Sequence, residues 1–392
     1  MRKTICQLGL LLVAAAPAWA GGVVQTIDAR LEGDVAWTDG GLSVAGKPVP
    51  WESVIYVLPQ AARAGASAGG AVRLGGGEVW RGDIVGLSAN RLAVRTALFG
   101  TREVEADQVQ ELWFFDVPCA DGAAAATGAA PEDAKRQSAA GAAGTLYRDK
   151  GEPIPGTLLW IDEMRLAIDS PLGVLTLPRE GAVRYTFAAR SQAAKQPQGD
   201  DLVGLADGTV LCGGAKPKAG GLEVAHGVLG ALAIPAANIH YVRRGDARAT
   251  DLIGRFAGTI REQGILSAAA AAGPRYARRA CDVSGLAAPC LSAMSLQPRT
   301  ASTWRLKPWA GKPLRLTGRI EPLPGARGDA RLRVTVGGKT VFVQDLAPGA
   351  APAGLAVDLP RGDELGIEVD FGKRIGFPCG VVLEDLLLIS RG

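Results

Sequence analysis

A glycine, then a Leu-x-Val or Leu-x-Ile strand, then a closing aliphatic residue recurs four times between the N-terminus and Arg244. The glycines are Gly33, Gly82, Gly156 and Gly213. Nine or ten residues on stand Leu42, Leu92, Leu166 and Leu222, each followed two positions later by Val44, Val94, Ile168 or Val224. That period of two puts both aliphatic side chains on one face of a strand. The closing residue comes 17 positions after the leucine at Val109, Val183 and Ile239, and 12 after it at Val54. One all-β unit is therefore repeated, with the glycines read as turns between its strands. The second copy shows the strands most plainly, as runs 71–74, 79–84, 91–94 and 109–114 around the glycines 75–77. A unit this short exposes pairing edges, so it must close into a small barrel or pair with its neighbour.

Past Asp251 the rhythm changes. A short helix is expected within 252–266, followed by eight runs at 291–296, 302–306, 313–320, 330–336, 339–346, 354–359, 364–369 and 380–389. Several alternate apolar with polar residues, the pattern of a two-sheet jelly roll. Small and polar residues dominate 60–70, 119–144 and 190–200, which lack the apolar content to pack and read as connectors. The expected order is a leader at 1–20, β repeats at 21–59 and 70–117, a linker at 118–142, β repeats at 143–188 and 202–244, and a jelly roll at 250–392. The fold class is all-β: tandem small barrels followed by a β-sandwich.

Two resemblances refine this. The order of a strand, a glycine turn, a strand ending in glycine, a Leu-x-Val strand and a final aliphatic strand is similar to Sm-like small β-barrels. Asp207-Gly208-Thr209-Val210 and 235–239 carry it best. The RNA-contact signature of that family is absent. The last 120 residues or so resemble the NPCBM module, the carbohydrate-binding jelly roll named from glycoside hydrolase family 98 enzymes. The likeness begins at Leu332-Arg333-Val334-Thr335-Val336-Gly337-Gly338-Lys339-Thr340-Val341-Phe342. It continues through 357–359 and 364–370 to Val382-Leu383-Glu384-Asp385-Leu386. Gly337 stands where that family's turn carries aspartate, and no tryptophan follows Gly380. The resemblance implies a jelly-roll fold and a glycan ligand.

Composition narrows the function classes. Lys and Arg number 43 against 39 Asp and Glu, for a net charge of +4, and the signs are interspersed, so no nucleic-acid groove is expected. Aromatic residues make up 5%, leaving Val, Leu and Ile to build β cores. Arg2 and Lys3, an apolar stretch at 8–16 and Ala18-Trp19-Ala20 form a secretory signal, which places the mature chain in the periplasm, the cell envelope or the extracellular space. No transmembrane segment is expected after it. In an oxidising compartment Cys281 and Cys290 are placed to bridge, with Cys379 as the rival partner for either. No Cys-x-x-Cys pair points to zinc.

Candidate chemistry is sparse. His226 and His240 are the only histidines, and both read as ordinary strand residues. Glu368 and Asp370, or Glu384 and Asp385, would be the carboxylates of a glycosidase pair, but 368 and 370 alternate along one strand beside Lys373 and Arg374, as on a solvated face. Asp370, Asp385 or the backbone near Gly380 would also suit a structural calcium ion, the one cofactor considered. For sugar stacking, Trp304 reads as core and Trp309, flanked by Pro308, as a loop platform. The ligand-binding set is therefore Trp309, Asp370 and Arg374. The sequence reads as a non-catalytic binding protein whose partner is a glycan. The alternative is a structural or assembly protein whose repeats contact other envelope proteins.

Overall fold

The computed structural model describes residues 22–59, 69–75, 78–114, 143–187, 200–246, 248–253, 259–262 and 293–391. The leader, most of the connectors, and Cys281 and Cys290 with their expected bridge lie outside the described residues. The first copy supplies β1 (Gly22–Thr26), β2 (Arg30–Gly33), β3 (Val35–Thr38), β4 (Gly41–Val44), β5 (Lys47–Pro50) and β6 (Val54–Leu58). The second supplies β7 (Ala71–Leu74), β8 (Val79–Arg81), β9 (Asp83–Ser88), β10 (Arg91–Thr96), β11 (Gly100–Glu105) and β12 (Val109–Trp113). The third has β13 (Ala143–Arg148), β14 (Ile154–Ile161), β15 (Arg165–Ser170), β16 (Gly173–Pro178) and β17 (Ala182–Phe187). The fourth has β18 (Asp201–Leu205), β19 (Val210–Lys218), β20 (Gly221–His226), β21 (Gly230–Pro235) and β22 (Ile239–Arg243). A single 3-10 turn precedes the last strand of every copy.

Each copy is thus five strands, the second of them broken in two in copies one and two. The first strand lies between the second and the fifth, and the third between the second and the fourth. Among the described residues no fourth strand is paired with a fifth strand, so the pairing does not show each copy as a separate closed barrel. Instead the fifth strands pair with one another: β12 with β17 through Leu112↔Tyr185, and β22 with β6 through Val242↔Val57. Both joints end alike. The first residue past the strand donates its N–H to the second residue of the partner strand, Phe114 to Val183 O at 3.1 Å and Arg244 to Ile55 O at 2.8 Å. With the contacts β9–β14 and β8–β19, the strands of the copies form a continuous 19-stranded sheet, apart from β3, β4 and β5, which make a three-stranded sheet of their own, and all pack on one apolar core. Edge pairing satisfies the backbone groups that an isolated curl would leave open.

The recurring glycines prove to be kinks within or at the end of the second strand rather than turns between strands. At Gly82 φ is +158°, and a Cβ would sit 2.2 Å from the carbonyl oxygen of Arg95; Gly156, at φ +159°, would place one 2.5 Å from Asp169 O. The second strand bends there against the backbone of the third, which only a residue without a side chain permits. The leucines and their i+2 partners are buried as the spacing implies. One offset differs: the residue on the core in copy three is Ala182, and Val183 is half-buried. The turn from Ser170 to Gly173 is one residue shorter than those from Thr96 to Gly100 and from His226 to Gly230, which shifts the register of everything after it by one.

The C-terminal strands form a sandwich. One sheet contains β23 (Ala249–Asp251), β25 (Ala293–Leu296), β27 (Leu314–Pro322), β30 (Ala353–Leu359) and β32 (Val381–Ser390). The other contains β24 (Thr259–Glu262), β26 (Thr300–Arg305), β28 (Ala330–Val336), β29 (Lys339–Leu346) and β31 (Glu364–Phe371), in the order β24-β26-β31-β28-β29. Where a helix is expected within 252–266, Thr259–Glu262 is instead an edge strand paired with β26, because that edge offers a ladder to complete. Apolar side chains from both sheets meet in one core that includes Trp304, whose indole N–H donates to Leu252 O at 3.2 Å.

β32 explains how the two halves meet. Val381 and Leu383 face the sandwich core, yet Leu386 and Leu388 do so further along, a change of parity. A bulge opposite Gly318 absorbs the extra residue, and Asp385 takes φ +52° there. The opposite face of β32 then presents Leu387 and Ile389 to Val23, Ile55 and Tyr56 of the first copy. Replacing Gly82 by Ala is expected to destabilise the protein by about 2 kcal/mol or more, from the strained φ and the carbonyl contact. Urea unfolding of Gly82→Ala against wild type measures this.

Candidate functional site

The far end of the sandwich is built by two loops. Residues 323–329 follow β27 and 372–380 follow β31, and backbone hydrogen bonds stitch them together: Leu323 N to Gly380 O at 3.0 Å, Arg327 N to Pro378 O at 2.7 Å, Asp329 N to Arg374 O at 2.8 Å, and Gly372 N to Asp329 O at 2.8 Å. Gly328 and Gly376 approach so closely that a Cβ on either would meet the other loop's backbone. The Asp329 carboxylate accepts from Arg374 N at 3.0 Å and from its guanidinium at 3.2 Å. On this rigid frame stand Ile375, 72% exposed, and Phe377, 60% exposed, the latter edge-on to Phe371 with centroids 5.5 Å apart. Large apolar groups held in water beside an arginine are the ingredients of a recognition surface.

The sequence-derived site residues divide between the two ends of the sandwich. Arg374 belongs to this tip, and Asp370 lies next to it at the end of β31, exposed and level with Arg331 of β28. Trp309 is half-buried on a 3-10 turn that follows β26, where Leu306 N donates to Asp363 O at 2.8 Å. That is the other end of β31, roughly 20 Å away at about 3.3 Å per residue. Trp309 therefore does not join Asp370 and Arg374 in one patch. Sequence reasoning missed Phe377 and Ile375, whose signal was two large apolar residues in a run of glycine, proline and charge that has no strand period.

Three of the four acids considered for catalysis, Glu368, Glu384 and Asp385, are partnered, whereas Asp370 is exposed. Glu368 pairs with Arg333 at 3.1 Å on the outer face of its sheet, so its partner comes from β28 rather than from 373 or 374. Arg331 clasps Asp345 through two hydrogen bonds, at 2.6 and 3.0 Å, on the same face. Glu384 lies 3.7 Å from Arg319, both largely buried. Asp385 points from its bulge into the first copy, where the Tyr56 hydroxyl donates to it at 3.1 Å and Arg30 reaches it at 3.4 Å while also donating to the Tyr56 oxygen at 2.9 Å. Burial pushes the Asp385 carboxyl up to about 7 against the pull of Arg30. Of the alternatives for calcium, Asp370 is exposed at the end of β31 in one sheet, and Asp385, on β32 of the other, is engaged by Tyr56 and Arg30 of the first copy. Among the described residues no group of three or more His, Cys, Asp or Glu side chains is placed to hold a metal.

His226 ends β20 and caps the turn that follows. Its Nδ1 accepts from the N–H groups of Val228 and Leu229, both at 3.0 Å, as the Thr96 and Ser170 hydroxyls accept from Phe99 and Leu172 in their copies. Nδ1 is then the acceptor, so Nε2 carries the proton and donates to Glu78 at 2.6 Å, where Trp80 donates as well. His226 is thereby committed to holding copy four against copy two. His240 lies on a different strand, β22. Burial lifts the Cys212 thiol to about 12, which leaves it without nucleophilic character at neutral pH. Cys379, the rival bridging partner, is a buried free thiol that burial likewise pushes up.

No family model matches the chain, and no curated protein does. Among solved structures it is similar to the tandem CBM51 modules of Sp3GH98, the family 98 glycoside hydrolase of Streptococcus pneumoniae SP3-BS71, at 9% identity and a TM-score of 0.26, covering 79% of this chain and 88% of that one. It is similar to the CBM51-2 and INT domains of Clostridium perfringens ZmpB at 11% identity and TM-score 0.22, over 25% of this chain and 22% of that one. It is also similar to a CBM36 module in complex with calcium and xylotriose, at 13% identity and TM-score 0.18, over 25% and 78%. The chain spans about a fifth of the length of the ZmpB structure. The fold stands on the strand pairing itself. No helix among the described residues is long and apolar enough to cross a membrane.

Because the folded state holds Asp385 protonated up to about 7, against 3.8 for the free side chain, folding is favoured where only the folded form keeps the proton. Its contribution is full at low pH and is lost as pH rises through that window, on the order of 1.4 kcal/mol per pH unit. Wild type is therefore expected to lose stability relative to Asp385→Asn between pH 4 and 7 and to run parallel to it above. Urea titrations of the two proteins across pH 4–8 check this.

Proposed function

We propose that the protein is an exported, non-catalytic binding protein whose C-terminal sandwich takes carbohydrate at the tip formed by residues 323–329 and 370–380. The single observation that supports this reading is the exposed Phe377, edge-on to Phe371 and next to Ile375 and Arg374, on loops locked by backbone hydrogen bonds. The C–H face of a pyranose packs on such rings, and the guanidinium and the Asp370 carboxylate supply the directional hydrogen bonds that orient a sugar's hydroxyls. Because the loops are already ordered, little conformational entropy opposes binding. Glu384, Asp385 and His226 are occupied in holding the fold, which fits a binding role.

The alternative reading, a structural or assembly protein of the cell envelope whose copies contact other chains, has its own observation in the open, uncharged fourth strand of copy three.

A glycan array and polysaccharide pull-down with the mature chain tests the proposal. Binding that weakens at least about tenfold in Phe377→Ala, as expected for loss of an aromatic platform worth roughly 1–3 kcal/mol, supports it. Trp309→Ala is expected to leave binding unchanged. Binding lost in Trp309→Ala but kept in Phe377→Ala would move the site to the other end of the sandwich, and no binding to any glycan would favour the assembly reading.

A further inference from the structure

Among the described residues every copy presents its fourth strand as an open edge, because that strand pairs there only with the third. An open edge invites another strand unless it is blunted. In copy one β5 is Lys-Pro-Val-Pro, whose prolines Pro48 and Pro50 remove donors. In copy two β11 carries Arg102, Glu103 and Glu105. In copies three and four β16, Gly-Val-Leu-Thr-Leu-Pro, and β21, Gly-Ala-Leu-Ala-Ile-Pro, both lack charge and end in proline, but β21 offers only Ala231 and Ala233 on its exposed positions and buries Ile234, whereas β16 buries none of its residues.

Copy three is also where the core is left uncovered. The registers Leu92↔Val104, Leu166↔Leu177 and Leu222↔Ile234 make Leu177 the counterpart of Val104 and Ile234. Those two are buried, whereas Leu177 and its neighbour on the same face, Leu175, remain partly exposed at the sheet edge. Around them stand Leu172 at 89% exposed, Met164 at 74% and Val174 at 63%; with Leu159 they are four of the nine exposed large hydrophobics among the described residues.

We propose that β16 pairs antiparallel with β16 of a second copy of this chain, forming a two-fold dimer. Three observations select that occupant. The copies inside the chain already join by antiparallel pairing of identical strand types, β12 with β17 and β6 with β22, so edge addition is how this sheet grows. Antiparallel pairing of one strand with its own copy is isologous: it satisfies both edges at once and closes, leaving nothing for a third chain. Parity then sets the contact. Residues directly opposite in a ladder share a face, so Leu175 and Leu177 of one chain meet Leu175 and Leu177 of the other and cover both open cores, while Val174 and Thr176 align on the outer face. The inference is independent of the glycan reading, since the sandwich tip and β16 lie in different halves of the molecule.

Sedimentation equilibrium of the mature chain, with Val174→Lys and Thr176→Lys as separate variants, decides it. Both side chains are exposed on the outer face, so the fold should persist, and circular dichroism confirms this for each. Wild type is expected to be a dimer. Each lysine sets like charges against one another across the two-fold axis and should weaken the dimer by about tenfold or more. A wild type that stays monomeric at about 100 μM, where even a weak specific pair would associate, overturns the proposal. So does a dimer that both folded lysine variants leave intact.

Discussion

Strand edges govern this molecule. A five-stranded curl leaves two rows of unpaired backbone N–H and C=O groups, and each row must find a partner, a blocking residue or solvent. The chain meets the requirement by repetition. Fifth strands pair with fifth strands, β12 with β17 and β22 with β6, so four units too small to be stable alone share one core. Bent second strands make the curl possible, and the bend depends on glycine, because at Gly82 and Gly156 the third strand's carbonyl occupies the space of a side chain. Lose the bend and the curvature goes; lose the fifth-strand pairs and the copies come apart.

The polar groups buried in this frame serve its joints. Glu78, Trp80 and His226 lock copy two to copy four, and Arg30, Tyr56 and Asp385 lock copy one to the sandwich. Each set is built from groups whose types would also suit catalysis, yet each is largely buried and bonded to neighbours from another unit. The large apolar groups that meet water in a fixed geometry are different ones, at the sandwich tip. The buried polar joints and the exposed tip are therefore separate parts of one chain, with the bulge at Asp385 at the junction of its two halves.

Much of the fold was legible because alternation survives wherever one strand face is buried. The runs at 330–336 and 339–346 coincide with β28 and β29, the other six expected runs differ from their strands by a residue or two at an end, and β23 and β24 lie where no strand is expected. The misplaced features share a cause in local length. The fixed spacing points to Val183 as the closing residue, because a turn shortened by one leaves no mark in that spacing, and the glycines resemble turns because a kinked strand and a turn use the same residue for the same reason. The change of parity between Leu383 and Leu386 was present in the sequence as a sign of a bulge. What pairs across long separations was not: nothing local links Asp329 to Arg374 or Tyr56 to Asp385, and so the tip and the junction emerged only from the folded chain.

The claim on which the rest stands is that fifth-strand pairing makes the four copies one cooperative body. Hydrogen–deuterium exchange followed by mass spectrometry reads it directly. Peptides covering β6, β12, β17 and β22 should exchange slowly and together, at the rate of global unfolding, while those covering the open fourth strands β11 and β21 exchange sooner. Fifth strands that exchange as fast as the fourth, or copies that open one at a time at separate rates, would contradict it.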